Sequence, residues 1–244
     1  MLTTKVYSRV LGIGLLSLIN PANAIDAVGT TDSIVIGSAY DVNTGDLLYT
    51  ETHKRPSSSE HTVTYREVNG ETFATKKLTY AYSSLVPSFY QVNERNGEVI
   101  EVTTSTNNTL TVNFKASESS KLKSKQVGIT NRLIVDAGFD HFIHKYWDNL
   151  NRGDVLKIDF LAPTRQITAP FRIETTNCKT EDSHSVCFMM SPDAWWISLV
   201  MEPIYLVYNN QTKRLSRYLG RGNISEKNGN YLTVDLRYRY QVTE

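Results

Sequence analysis

A pattern of histidine and aspartate residues with metal-ligand spacing lies in the middle of the chain. His141 and His144 are three residues apart, and Asp148 follows four residues after His144. On a helix, residues spaced by three or four project to the same side, so these imidazole and carboxylate groups could together hold a metal such as zinc. A metal in such a site activates a bound water molecule, which is the chemistry of a metal-dependent hydrolase.

The helix that would carry these residues favours a simpler interpretation. We predict a helix from about Ala137 to Asn151, with Asp136 as its N-cap. Its apolar positions gather on one side: Phe139, Phe142, Ile143, Tyr146, Trp147 and Leu150. His141, His144 and Asp148 project to the opposite side, toward solvent. Because a catalytic metal needs a concave and partly dry site, the pattern fits a polar helix surface with a His–Asp pair better than a metal centre.

The two cysteines are close in sequence. Cys178 and Cys187 are separated by eight residues, with His184 between them. Three ligands at this spacing match no common zinc pattern. In an oxidising compartment the two thiols are expected to form a local disulfide.

A cluster of large apolar residues surrounds a second predicted helix. We predict this helix from Pro192 to about Met201, capped by Ser191, with Pro192 in its first turn. Four residues of the cluster could line a pocket for an acyl chain or another apolar ligand: Met190, Trp195, Trp196 and Met201. The competing interpretation is plain core packing, because adjacent tryptophans on a helix point about 100° apart and cannot both line one pocket.

Most of the remaining sequence predicts antiparallel strands joined by tight turns. The Asn69-Gly70 and Asn96-Gly97 pairs are the sequence signature of two-residue hairpins, because both turn positions favour positive φ. In the last segment, Tyr231–Tyr240, apolar and polar residues alternate, which is typical of a strand with one buried and one solvated face. No linker divides the chain. We therefore predict a mainly β, α+β fold in which two helices pack on a sheet of hairpins.

The N-terminus has the features of a cleaved signal peptide. Lys5 and Arg9 precede the apolar run Val10–Ile19, and Ala22-Asn23-Ala24 fits a cleavage site. The apolar run is too short to span a bilayer. We expect residues 1–24 to be removed and residues 25–244 to form a single β-rich domain in the periplasm or outside the cell.

The charge balance excludes several classes of partner. The chain has 26 basic and 25 acidic residues, and removal of Lys5 and Arg9 with the signal peptide leaves one net negative charge. A near-neutral surface argues against nucleic-acid binding and against a polybasic membrane anchor. No transmembrane segment is expected after signal cleavage. The sequence also lacks nucleophile-elbow, phosphate-loop and dinucleotide motifs, so we expect neither a cofactor nor an enzyme.

The arrangement of hairpins resembles that of periplasmic proteins of the lipoprotein-carrier type, and of related uncharacterised bacterial envelope proteins. The segments that carry this resemblance are Tyr40–Leu48, Phe89–Val102, Tyr205–Leu219 and Tyr231–Tyr240. The resemblance implies a strongly curved antiparallel sheet, or half-barrel, closed by helices around a lipid-binding cavity. Neither the Cys178–Cys187 segment nor the stretch around Lys121–Lys145 belongs to that pattern.

Three functional hypotheses follow. The first is a non-enzymatic exported protein that binds a lipid or another apolar or amphiphilic small molecule in the concave face of the sheet. The second is an envelope structural or interaction module that binds another protein through a sheet edge or an aromatic patch. The third is a metal-dependent hydrolase using the histidine helix.

Overall fold

The structure, a computed structural model, describes residues 34–105, 107–178, 183–195 and 201–241, so the predicted signal peptide lies outside the described residues. The described part contains 15 strands and two helices, and strands make up 55% of the structure. The first eight strands are β1 (Ile34–Asp41), β2 (Leu47–Ser57), β3 (Glu60–Arg66), β4 (Thr72–Thr79), β5 (Ser88–Asn93), β6 (Glu98–Thr104), β7 (Thr109–Lys115) and β8 (Lys123–Gly128). They are followed by β9 (Leu133–Ile134), α1 (Gly138–Lys145), α2 (Trp147–Asn151), β10 (Leu156–Ala162), β11 (Ile167–Thr176), β12 (Ser185–Pro192), β13 (Ile204–Asn209), β14 (Leu215–Arg221) and β15 (Thr233–Gln241). The predicted mainly β class is confirmed.

The two Asn-Gly turns form the predicted hairpins. Gly70 joins β3 to β4 with φ of 88°, and Gly97 joins β5 to β6 with φ of 74°. These φ values lie in the left-handed region, which glycine enters without a steric penalty. A side chain on Gly97 would also meet the Glu118 backbone at 2.7 Å. Both turns therefore fix the register of the strands beside them.

All strands belong to one sheet whose edges lie close together in sequence. The order is β8-β7-β6-β5-β4-β3-β2-β1-β15-β14-β13-β12-β11-β10-β9, so β1 and β15 meet in its middle. The two edge strands, β8 and β9, are joined by residues 129–132 alone. Such a connection spans at most about 18 Å, at roughly 3.6 Å per residue. The sheet must therefore curl so that its edges approach each other, and it remains an open, curved sheet.

Two apolar clusters fill the curled sheet. The first lies between β1–β7 and β14–β15 and is built around Tyr65, Leu78 and Val102. The second lies between β10–β13 and the two helices and includes Ile143, Trp147 and Phe188. Neither helix is long and apolar enough to cross a membrane, and the described residues contain no other that is.

The first predicted helix is present but is shorter and interrupted. Helix α1 begins at Gly138, and Tyr146 separates it from α2. The predicted N-cap is wrong: Asp136 has a φ of 45°, and its carboxylate binds Lys76 Nζ at 2.6 Å. Gly138 packs so closely that a Cβ there would lie 2.2 Å from the Leu85 carbonyl oxygen. These contacts with β4 and the β4–β5 loop set the start of the helix.

The predicted start of the second helix is also wrong. Ser191 and Pro192 are the last residues of β12, where they pair with Arg172 and Phe171 of β11. A proline is tolerated at the end of a strand because no further ladder bond needs its N–H. Residues 196–200, which are half of the predicted helix, lie outside the described residues.

The two sheet edges carry features that discourage strand addition. On β8, Lys123 and Lys125 pair with the core-side residues Phe114 and Val112 of β7. Both lysines are exposed. Charged residues on the inner side of an edge strand oppose pairing with another chain, and so does the shortness of β9, which has two residues.

Candidate functional site

The structure does not assemble the predicted metal site. His144 Nε2 donates to the Lys213 carbonyl oxygen at 2.7 Å, and Asp148 is exposed on α2. His141 is half-buried rather than solvent-facing, with its ring 5.0 Å from the Tyr80 ring, and burial lowers its pKa. No group of three or more potential metal ligands occurs among the described residues.

The predicted disulfide is confirmed. Cys178 and Cys187 are joined at an S–S distance of 2.06 Å. Cys187 lies on β12 and is buried, so the bond ties the segment before β12 to the sheet.

Three of the four residues predicted to bind an apolar ligand are described, and they differ in burial. Met190 is a core residue on β12, and Met201 packs against the same second cluster. Trp195 is 76% exposed, and Trp196 lies outside the described residues. None of the described three lines either of the cavities that follow.

A cleft of about 690 Å³ opens at one end of the curled sheet, and we call it the end cleft. Its walls come from the start of β2, the β3–β4 turn, the β5–β6 turn and the loop between β14 and β15. The lining residues are Leu48, Glu67, Val68, Asn69, Glu71, Arg95, Glu226, Lys227 and Asn228. Both hairpin turns in this wall are those predicted from the Asn-Gly pairs.

The loop between β14 and β15, residues 222–232, folds over this end of the sheet, and we call it the cap loop. The side-chain amide of Asn93 donates to the Ser225 carbonyl oxygen at 2.7 Å, and that of Asn96 donates to Ser225 Oγ at 2.9 Å. The Tyr231 hydroxyl donates to Glu98 at 2.7 Å, and burial raises the pKa of that carboxyl. These bonds fix the cap loop on the β5–β6 hairpin.

A rigid ion pair stands between the end cleft and the interior. Arg95 donates through Nε and one terminal nitrogen to the two oxygens of Glu67, at 2.7 and 2.5 Å. Its guanidinium also stacks 3.5 Å from the centroid of the Phe73 ring. The hydrogen bonds from Arg95 hold the pKa of Glu67 below its usual value. A bidentate pair stacked on a ring is held in one geometry, so it forms a defined rim.

Beneath this rim lies a smaller inner chamber of about 40 Å³. Its apolar lining consists of Leu48, Tyr49, Ile224, Leu232 and Val234, all packed in the first core cluster. The Tyr49 side chain is 4% exposed, and its hydroxyl has no hydrogen-bond partner among the described residues. A buried hydroxyl without a partner is uncommon, because most buried polar groups are hydrogen-bonded.

A second polar feature, missed by the sequence analysis, lies beside the first core cluster. We call it the histidine chain: Glu51, His53, His61 and Tyr80. The Glu51 carboxylate lies 2.8 Å from His53 Nε2, and His53 Nδ1 lies 2.9 Å from His61 Nε2. His61 Nδ1 is 3.5 Å from the Tyr80 hydroxyl. The Tyr238 hydroxyl donates to the same Glu51 oxygen at 2.8 Å.

The sequence did contain a signal for the histidine chain. Glu51 and His53 are in phase with the buried Tyr49 on β2, so the alternation of a strand places a carboxylate on the core side. A carboxylate on a buried face requires hydrogen-bond partners, which His53 of the same strand and Tyr238 of β15 supply.

Comparison of the chain with family models, with curated proteins and with solved structures gave no match. The function must therefore be argued from the site itself.

Proposed function

We propose that the protein is an exported, non-enzymatic binding protein that holds a small amphiphilic molecule in the end cleft. The observation that carries the proposal is that the end cleft, which is lined mainly by polar and charged residues, shares Leu48, Arg95 and Glu226 with the largely apolar inner chamber. The ligand's polar head lies at Arg95, Glu226 and Lys227, and its apolar part lies on Leu48 and Val68.

The dimensions of the cleft limit the ligand. A volume of about 690 Å³ falls within the roughly 300–1,000 Å³ of small-molecule sites. The inner chamber, at about 40 Å³, has room for a single small group. Two clusters of the protein's own apolar side chains pack inside the curled sheet. A short apolar part resting on the cleft floor fits these dimensions better than a full acyl chain inserted into the interior.

The charges of the rim indicate the chemistry of the head group. Glu67 is neutralised by Arg95, which leaves Glu71, Glu226 and Lys227 as the other charged groups of the lining. Because both signs are present, a zwitterionic or neutral polar head is favoured over a strongly anionic one.

Two further observations support the proposal. The Cys178–Cys187 bond fits the oxidising compartment that an exported protein reaches, in the periplasm or outside the cell. The inward lysines of β8 argue against binding a partner protein by strand addition at that edge.

A direct test uses a short-chain phosphocholine amphiphile below its critical micelle concentration. Titration of ¹⁵N-labelled protein should shift the amide signals of Leu48, Val68 and the cap loop, with saturation. Val68 lines the cleft and is 64% exposed. Its replacement by lysine should weaken binding at least about tenfold, because apolar contact area for the ligand is lost.

Val155→Lys is the matched control, because Val155 is 51% exposed and does not line the cleft. It should bind the amphiphile as the wild type does. Shifts scattered over the whole surface, or equal affinity in both variants, would contradict the proposed site.

A further inference from the structure

The histidine chain contains two imidazoles in direct contact, which constrains their protons. His53 Nδ1 and His61 Nε2 are 2.9 Å apart, so one of the two nitrogens must donate and the other must accept. Which of the two nitrogens donates depends on the contacts at each end, because His53 Nε2 faces Glu51 and His61 Nδ1 faces Tyr80.

With both imidazoles neutral, every bond points toward Glu51. His53 donates from Nε2 to the carboxylate, so its Nδ1 accepts from His61 Nε2–H. His61 Nδ1 then accepts from the Tyr80 hydroxyl. All ring nitrogens are satisfied in this state.

One additional proton can be held without breaking a contact. If His53 is doubly protonated, it donates to Glu51 and to His61 Nε2, and His61 Nδ1–H donates to Tyr80. The route conserves protons: a proton from solvent binds the Tyr80 oxygen, the original Tyr80 proton moves to His61 Nδ1, and the His61 Nε2 proton moves to His53 Nδ1. Tyr80 remains a neutral hydroxyl at the end.

We propose that the histidine chain is a binding site for one proton, which is stored on His53 beside Glu51 while His61 inverts its tautomer. This site lies apart from the end cleft, and the proposal does not depend on the proposed ligand.

The surrounding charges decide where the proton is stored. His53 contacts Glu51 of β2, and Tyr238 of β15 donates to that same carboxylate. Among the described residues, His61 has only basic charged groups around it: His53 and Arg55 of β2, Lys76 of β4, which is paired with Asp136, and His141 of α1. Burial and these neighbours lower the pKa of His61. In the proposed state the positive charge lies on His53, which contacts the Glu51 carboxylate directly, rather than on His61.

The test is a pH titration of protein labelled with ¹⁵N-histidine, which has five histidines to assign. Two-bond ¹H–¹⁵N spectra report which ring nitrogen carries the proton. We expect His61 to change from the Nε2–H to the Nδ1–H tautomer at the same midpoint at which His53 becomes doubly protonated. A His61 tautomer that stays constant through the His53 titration would overturn the proposal, and so would a His53 that gains no proton before the protein unfolds.

Two variants, each with its own control variant, sharpen the result. Glu51→Gln removes the opposite charge and should lower the common midpoint by about 1–3 pH units. Glu101→Gln, on β6, is the control and should leave the midpoint unchanged. Tyr80→Phe removes the acceptor for His61 Nδ1–H and should abolish the tautomer change, whereas Tyr82→Phe should preserve it. A midpoint that is the same in Glu51→Gln as in the wild type would contradict storage of the proton on His53.

Discussion

Acidification should destabilise the fold through the buried imidazole of His61. This side chain is 4% exposed, and burial, followed by the charges of His53, Arg55 and Lys76, lowers its pKa from 6.5 to about 2. In the unfolded chain the same imidazole binds a proton at its ordinary pKa of about 6.5. The folded state excludes that proton. The stability is therefore highest above the unfolded pKa and falls as the pH drops from there toward the folded pKa.

The expected loss can be worked out from these two values. Each pH unit below about 6.5 costs about 1.4 kcal/mol, so the free energy of unfolding should fall by about 2 kcal/mol through His61 between about pH 7.5 and about pH 5. His61→Gln should remove this part of the loss. The Gln amide does not titrate, and it can either donate to His53 or accept from it.

Urea denaturation of both proteins at the two pH values, at one ionic strength, provides the measurement. The difference between the proteins gives the part of the loss that depends on His61, because groups such as Glu67 and Glu98 titrate in both. If the wild type and His61→Gln lose the same free energy on acidification, the reasoning is refuted.

The remaining predictions concern packing, the disulfide and the sheet edge. Gly138→Ala should lower the free energy of unfolding by about 1–3 kcal/mol, because a Cβ at Gly138 meets a backbone carbonyl. Gly128→Ala should leave the free energy of unfolding nearly unchanged in the same urea assay, because a Cβ at Gly128 meets nothing within 4 Å. Replacement of Cys178 and Cys187 by serine should lower the free energy of unfolding by about 2–3 kcal/mol. A loss no greater than that of an ordinary surface substitution would contradict a stabilising role of the disulfide. Lys125→Val should change stability by less than about 0.5 kcal/mol but increase self-association in sedimentation velocity; a variant that stays monomeric over the same concentration range would disprove edge protection.

The sequence predicted those parts of the fold that depend on local backbone chemistry. The Asn69-Gly70 and Asn96-Gly97 pairs require positive φ, and they formed the expected hairpins. The alternation in Tyr231–Tyr240 placed Val234 and Leu236 in the core as expected. Asp235 is nonetheless buried on the other face, because Arg217 and Arg237 both bind its carboxylate.

The predictions failed where distant contacts outweigh local preference. Aspartate is a residue type that is favoured at N-caps, but the carboxylate of Asp136 binds Lys76, which is 60 residues away in sequence. Ser191 and Pro192 have a helix-start pattern, but pairing with β11 extends the strand through them. The end cleft could not be predicted for the same reason, since the cap loop reaches the β5–β6 hairpin through contacts such as Asn93 to Ser225.

Native mass spectrometry of protein released gently from its own compartment, followed by organic extraction, tests the proposed ligand most directly. We expect a non-covalent adduct of a small amphiphile on the wild type and on Val155→Lys, released on denaturation, and its loss from Val68→Lys. A wild-type protein with the bare mass of the polypeptide, or an adduct that Val68→Lys retains, would contradict the end cleft as the binding site.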